Sequence, residues 1–294
     1  MILSLSVRFH PRDTKYKTYN SEKCNKNIIF AATTFCISEF GNMRNYNLGF
    51  MSDDDIYEHV RDTVRQYRKS INLQEFNKNI IDPIKLTFDS KIYGYSIEQA
   101  IEAECIRQID KSNNNKIGYF HQYLFKYAGE GWEVPDNGAK GGFDVVNEEK
   151  CIYAELKNKH NTMNFASATA TYLKMLDRVV RSGNRATCYL VEAIARRSQD
   201  VVWEAAVVQN GHKERYNWPG IHRISMDKFY EIVFGDRLAF FKLCKKLPDI
   251  LDDVVKDDNG ARLNISVYDE LGNADFYKSL YMLAFSTYEG FESF

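Results

Sequence analysis

The chain has 294 residues, a formal net charge of −1, 44% hydrophobic residues and 27% charged residues. That length can bury a sizeable core, as one large domain or one domain with an elaboration, and the composition is ordinary for a soluble globular protein. The near-zero balance excludes a globally basic nucleic-acid binder. No run reaches transmembrane length, and the Ile28–Ile37 run is short and interrupted by Thr33 and Thr34. The six cysteines (Cys24, Cys36, Cys105, Cys151, Cys188 and Cys244) form no zinc-spaced pair, so they read as reduced residues of a cytosolic protein.

Residues 1–42 mix Lys, Asn, Thr and Tyr around one apolar run, with no clear period. They are expected to be an extension ahead of a natural start at Met43, or else a small N-terminal subdomain. Residues 43–294 are expected to form a single domain with helical elaborations at both ends. Asp53, Asp54 and Asp55 place acids at a helix start, where the helix dipole favours them, and Ile56, Val60 and Val64 then recur at every fourth position. Ser96-Ile97-Glu98-Gln99 has the form of a capping box, and Ile97, Ile101, Cys105 and Ile109 make one apolar stripe after it. Asn113-Asn114-Asn115 reads as a loop, with a second helix from about Ile117 to Tyr127 ending before Gly129.

Short β signals follow. Trp132-Glu133-Val134 leads into Pro135-Asp136 and a glycine-rich turn at Gly138, Gly141 and Gly142. Phe143–Val146 and Cys151–Leu156 are strand candidates joined by the polar turn Asn147–Lys150. The pattern then predicts a helix over Phe165–Arg181 with Tyr172, Met175, Leu176 and Val179 on its apolar face, strands at Thr187–Ala195, Val201–Val208 and Ile221–Ser225, and a helical C-terminal part from Met226. Tyr288, Phe291 and Phe294 are expected to dock a terminal helix. This order argues for an α/β or α+β core with a central mixed sheet flanked by helices.

The chemistry concentrates at the hairpin. Asp144 heads the first strand, Glu155 stands at the exit of the next, and Lys157 follows two residues on, on the same face. In an antiparallel pair those ends meet. Two adjacent carboxylates repel unless a cation lies between them, and Mg²⁺ takes oxygen ligands while bridging to phosphate. Lys157 then suits the attacking water or the developing charge. Asp136 is the weaker aspartate candidate, because its neighbours Asn137 and Gly138 are turn chemistry. From Ala154 to Arg197 the chain carries eight basic residues against three acidic ones, enough for a local basic groove. Asn158, Lys159, Asn161, Asn164, Arg196, Arg197 and the Lys213–Trp218 segment are the candidates for DNA contact, since Asn and Arg suit base edges and phosphates alike. His160 reads as a polar neighbour of the site, and His121 as a packed histidine.

The strings Ile117-Gly118-Tyr119-Phe120-His121-Gln122, Gly131-Trp132-Glu133-Val134-Pro135, Gly142-Phe143-Asp144-Val145-Val146 and Glu155-Leu156-Lys157-Asn158-Lys159-His160-Asn161-Thr162-Met163-Asn164 together resemble the type II restriction endonucleases that cut GGWCC or GGNCC, the AvaII isoschizomers and their relatives within the PD-(D/E)xK nucleases. Asn47-Leu48-Gly49-Phe50 and Ile81-Asp82-Pro83-Ile84-Lys85 fit as well, and the likeness runs from about Tyr46 to beyond Phe241. The resemblance implies a restriction-endonuclease-like core and Mg²⁺-dependent, sequence-specific cleavage of double-stranded DNA that leaves 5′-phosphate ends. It further implies a homodimer, a cognate DNA methyltransferase and a place in the bacterial cytoplasm. Asp144 and Glu155 take the positions of the motif acids that hold the metal, and Lys157 that of the motif lysine. Phe143 stands where the motif's name has proline. Many such enzymes carry a further Glu on the helix before the first strand; here that helix offers Gln122, the candidate third ligand, with Glu102 and Glu104 on the earlier one. A repair or junction nuclease of the same core, a non-catalytic DNA-binding module and a plain charged hairpin edge stay open as alternatives.

The compositional break at Met43 makes a prediction. Protein lacking residues 1–42 should keep whatever DNA cutting the full chain has, the activity that the resemblance implies; a folded truncated protein that loses it would show that the leader belongs to the enzyme.

Overall fold

A computed structural model of the chain describes residues 44–136, 138–209, 212–257, 264–271 and Ser279. The leader 1–42 and the terminal aromatics Tyr288, Phe291 and Phe294 lie outside them. Helix α1 (Asp53–Gln66) starts where Ser52 Oγ accepts from the Asp55 amide at 3.1 Å, which satisfies one of the orphan donors of the first turn. Strand β1 (Ser70–Ile71) and helices α2 (Leu73–Asn77) and α3 (Pro83–Tyr93) lead to α4 (Ile97–Leu124), which Ser96 and Gln99 open with a reciprocal capping box.

The expected loop at Asn113–Asn115 is not a loop: α4 runs unbroken through it, and a 3₁₀ turn (Phe125–Tyr127) completes the second predicted helix. Tertiary partners override the poor helix propensity of asparagine there. Asn113 Oδ1 accepts from the Arg68 amide at 2.8 Å while its Nδ2 donates to the Arg68 carbonyl at 3.3 Å, and Asn114 Nδ2 donates to Asp110 Oδ2 at 2.8 Å. Both halves of α4 are rooted. Ile101, Cys105 and Ile109 pack with Ile71, Phe76 and Val267, whereas Phe120 and Leu124 enter the main core. Ile97, expected on the same stripe, is exposed.

The central sheet is built from β2 (Trp132–Glu133), β3 (Val145–Asn147), β4 (Ile152–Lys159), β5 (Thr187–Ile194), β6 (Asp200–Val202) and, beyond a two-stranded ribbon of β7 (Ala205–Gln209) and β8 (His212–Tyr216), β9 (Ile221–Ser225). Its order is β2-β3-β4-β5-β9-β6, with β4, β5 and β9 parallel and the other neighbours antiparallel. This is the expected mixed sheet. Helix α5 (Phe165–Arg181) covers one face, where Tyr172, Met175 and Val179 meet Val146, Tyr153, Cys188 and Leu190. Helices α1, α4, α6 (Met226–Phe234) and α7 (Ala239–Asp257) cover the other, over Val145, Ala154, Val191 and Ile224. A short parallel pair of β1 with β10 (Asn264–Ile265) and helix α8 (Val267–Leu271) close the small lobe at the start of α4. Among the described residues no helix is long and apolar enough to cross a membrane.

Two strands differ from expectation. The single strand predicted over Val201–Val208 divides, because Trp203 turns into the α5-side core and its amide donates to the Ile221 carbonyl at 2.8 Å. Strand β4 runs past Leu156 to Lys159, since its parallel partner β5 continues alongside and pairs Lys159 with Ile194.

Leu124 is wholly buried where α4 meets the main core. Leu124→Ala should destabilise the protein by about 2–5 kcal/mol, measured by denaturant unfolding; a loss near zero would contradict that placement of α4.

Candidate active site

The hairpin turn Asn147–Cys151 is pinned by two hydrogen bonds, from the Lys150 amide to Asn147 Oδ1 at 2.9 Å and from the Cys151 amide to the Glu148 carbonyl at 3.2 Å. The turn sets the register that pairs Val145 with Ala154. The ladder ends there: Asp144 precedes β3, and its carboxylate lies beside β4 at the level of Glu155 and Leu156, near enough for the Glu155 charge to act on it. Asp144 has left the ladder: its amide still donates to the Ala154 carbonyl at 2.9 Å, but its carboxylate Oδ2 takes the Leu156 amide at 2.7 Å. The side chain thus replaces the backbone acceptor that β3 no longer provides beside β4. Phe143, where the motif's name has proline, is buried against Tyr153 with ring centroids 5.4 Å apart and anchors the chain just before Asp144.

Glu155 and Lys157 sit inside β4, where the sequence had put Glu155 at a strand exit. Lys157 Nζ donates to Glu155 Oε1 at 2.7 Å. The other oxygen, Oε2, accepts from Lys174 Nζ at 2.5 Å, and Lys174 also donates to the Gly142 carbonyl at 2.9 Å. Gly141 (φ +77°) and Gly142 (φ +73°) hold a left-handed backbone that side chains resist, and this turns the chain before Phe143. Lys174 had stood out in the sequence only as one charge of a basic stretch. Nothing in its spacing links it to the hairpin; the link arises when α5 lies down on the sheet.

The electrostatics separate the two acids. Burial, and next the charge of Glu155, push the Asp144 carboxyl above the usual carboxylate range. Burial opposes the charged form of Glu155 too, but the hydrogen bonds from Lys157 and Lys174 outweigh it and hold this carboxyl below its ordinary value. Paired acids driven apart in this way are a mark of catalytic sites.

These groups open on a cleft of about 510 Å³ lined by Gln122, Asp144, Glu155, Lys157 and Asn158, with Asn114, Asn115 and Tyr119 of α4 along one wall. Gln122 Nε2 donates to the Asp144 carbonyl at 3.3 Å, so the structure brings all four candidate catalytic residues together. Among the described residues no three or more His, Cys, Asp and Glu side chains form a metal-holding group. A cation here would rest on Asp144 and Glu155, and Asp144 Oδ1 accepts none of the hydrogen bonds found among the described residues. Mg²⁺ commonly uses one or two carboxylates with water and substrate phosphate, so this donor set fits it.

The candidate DNA contacts divide. Asn158 lines the cleft, and Lys159 and Asn161 are exposed just beyond it. Asn164 caps α5, its Oδ1 accepting from the Ser167 amide at 2.9 Å, so that oxygen is committed to the fold. Arg196 and Arg197 are exposed on the turn after β5 and border a separate hollow with Glu192, Trp203 and Arg223. Arg215 and Tyr216, in the Lys213–Trp218 segment, are engaged with Glu204 and Glu214. His160 Nδ1 lies 3.4 Å from the Ile194 carbonyl, away from the acids. His121 packs against Phe120 and Phe240, and burial pushes its pKa down to about 4, so it is the packed histidine expected. A further ion pair escaped the sequence: Glu192, 1% exposed, joins the partly exposed Arg223 on the α5 side of the sheet, in register with Lys157.

Residues 48–256 match the profile of the family described as Eco47II restriction endonuclease. The chain is 32% identical over 221 residues to the type II restriction enzyme Sau96I of Staphylococcus aureus, a match that covers 73% of this chain and 83% of that protein. It is 30% identical over 220 residues to the type II restriction enzyme Eco47II of Escherichia coli, covering 72% and 90%.

The cap at Asn164 is separable from any contact with DNA. Asn164→Ala should lower stability by about 1 kcal/mol, seen as a melting temperature ~2–4 °C lower, while Asn164→Ser restores it; unchanged melting in the alanine variant would remove the capping role.

Proposed function

The chain belongs to the Eco47II restriction endonuclease family, and from that premise we propose that Asp144, Glu155 and Lys157 are its hydrolytic centre and that they work with Mg²⁺. The protein is a type II site-specific deoxyribonuclease, a hydrolase whose substrate is DNA. The single observation that carries the site is that Asp144, Glu155 and Lys157 line one cleft, with the Asp144 carboxylate bound to the Leu156 amide between the other two.

Asp144 and Glu155 would hold the cation. When bound, it supplies neutralisation of charge on the phosphate and a lowered pKa for water. The protein's own groups do the rest. Leu156 fixes the Asp144 carboxylate through its amide. Lys157, released towards the substrate, orients the attacking water or steadies a non-bridging phosphate oxygen. Gln122 holds the Asp144 backbone from α4 through Nε2, and its Oε1 remains the candidate third ligand. Attack in line on phosphorus breaks its bond to the 3′-oxygen, which takes up a proton, and the new ends are a 5′-phosphate and a 3′-hydroxyl.

The recognition site is a GGWCC- or GGNCC-like sequence, read in part by Asn158, Lys159 and Asn161 beside the cleft and by Arg196 and Arg197. The run from Glu155 to Asn164, which resembles enzymes of that specificity, supports this. A nearly palindromic site calls for a two-fold symmetric dimer with one strand cut by each protomer. A methyltransferase acting on the same sequence would protect the host, and both would work in the bacterial cytoplasm.

The test is digestion of a plasmid of known sequence with Mg²⁺, followed by mapping of the ends. Asp144→Ala and Glu155→Ala should each cut on the order of a thousandfold more slowly, while binding the same duplex in Ca²⁺. Chelation should abolish cutting. Full cleavage by either variant, or cleavage that survives chelation, contradicts the assignment.

A further inference from the structure

Both oxygens of Glu155 carry an ammonium group. Lys157 holds Oε1 at 2.7 Å and Lys174 holds Oε2 at 2.5 Å. Lys157 is bound to follow Glu155, being two residues away on the same strand. Lys174 comes from another element, and its seat is built: Glu155 Oε2, the Gly142 carbonyl at 2.9 Å, and the Phe143 ring with its centroid 4.7 Å away. All three belong to the hairpin or to the turn leading into Asp144. The helix beneath is fixed, since Tyr172, Met175 and Val179 are buried. Only the flexible stem of the lysine is free to move.

The charges at this point balance. Asp144 and Glu155 contribute two negative charges; Lys157 and Lys174 return two positive ones. A divalent cation placed on Glu155 competes for the oxygen that Lys174 holds, and like charges at such a distance repel strongly where water is scarce. A phosphate entering the cleft adds negative charge and shifts the balance towards the metal.

Resting on the metal reading above, we infer that Lys174 is a positioning residue of the hydrolytic centre: it holds Glu155 as a stand-in cation while the cleft is empty and yields Oε2 when metal and DNA arrive together. Lys174 therefore weakens metal binding to the free enzyme and couples metal uptake to the presence of a phosphodiester. Its ammonium keeps the Gly142 carbonyl as a partner when it leaves Glu155.

The test is calorimetric titration of Ca²⁺ alone into the full chain without DNA. Lys174→Met should bind Ca²⁺ on the order of tenfold or more tightly than the unaltered protein. Lys174→Gln, which keeps a hydrogen-bonding group but no charge, should do the same and serves if the methionine variant does not fold. Lys174→Arg should leave the affinity low. The double variant Glu155→Gln with Lys174→Met should lose the gain. Folded methionine and glutamine variants with Ca²⁺ affinity equal to or weaker than the unaltered protein overturn the inference, as a purely structural lysine would give. A gain that persists in the double variant instead contradicts the metal reading at Glu155. Mg²⁺-dependent cutting that needs Glu155, with no gain in Lys174→Met, sinks the lysine inference alone.

Discussion

Two carboxylates face each other across the β3–β4 hairpin, and the site around them is an answer to that conflict. Two carboxylates held this close, with burial shielding them from water, repel each other. Here the register that buries Val145 and Ala154 in the main core brings Asp144, the residue just before β3, up to Glu155 and Leu156. A slip of one residue would move the acids apart but turn β3 inside out against β4. The core therefore holds the acids in place against their mutual repulsion. Lys157 and Lys174 stabilise the pair in the free protein, and in the proposed mechanism a divalent cation takes their place when substrate is present.

The rest of the fold supplies what the hairpin lacks. Strand β3 stops at the acid while β4 and β5 continue, which leaves one side of β4 without a neighbour at the level of Glu155 and Lys157. Asp144 Oδ2 takes over one ladder bond there. In open α/β sheets ligands bind beyond the carboxyl ends of parallel strands, and the cleft lies at that end of β4. Helix α4 walls it with Asn114, Asn115 and Tyr119 because it runs unbroken from the small lobe into the main core. Helix α5 closes the other face and brings Lys174 to the acids.

Much of this was legible in the residues. The Phe165–Arg181 helix and the Ile221–Ser225 strand follow from apolar period and flanking turn signals, and the structure reproduces both spans. Asp144, Glu155, Lys157 and Gln122 were marked by residue type, local position and resemblance, and they converge on one cleft. What stayed hidden depends on contacts distant in sequence. Asn113–Asn115 looked like a loop because local propensity disfavours helix, and only Arg68, far back in the chain, reverses that. Lys174 and the Glu192–Arg223 pair are ordinary charges until helix and sheet meet. Asn164 was marked for DNA, but its oxygen caps α5, a competing use that its sequence neighbours Phe165 to Ser167 could have signalled.

The central claim is that one divalent cation rests between Asp144 and Glu155 when DNA occupies the cleft. Anomalous diffraction from crystals of the protein with a cognate duplex and Mn²⁺ measures this directly. The account predicts a manganese peak within coordination distance of an oxygen from each of these two carboxylates, with Lys174 no longer on Oε2. A peak held by other residues, or Glu155 still clasped by both lysines in a complex cut at the scissile bond, would contradict it.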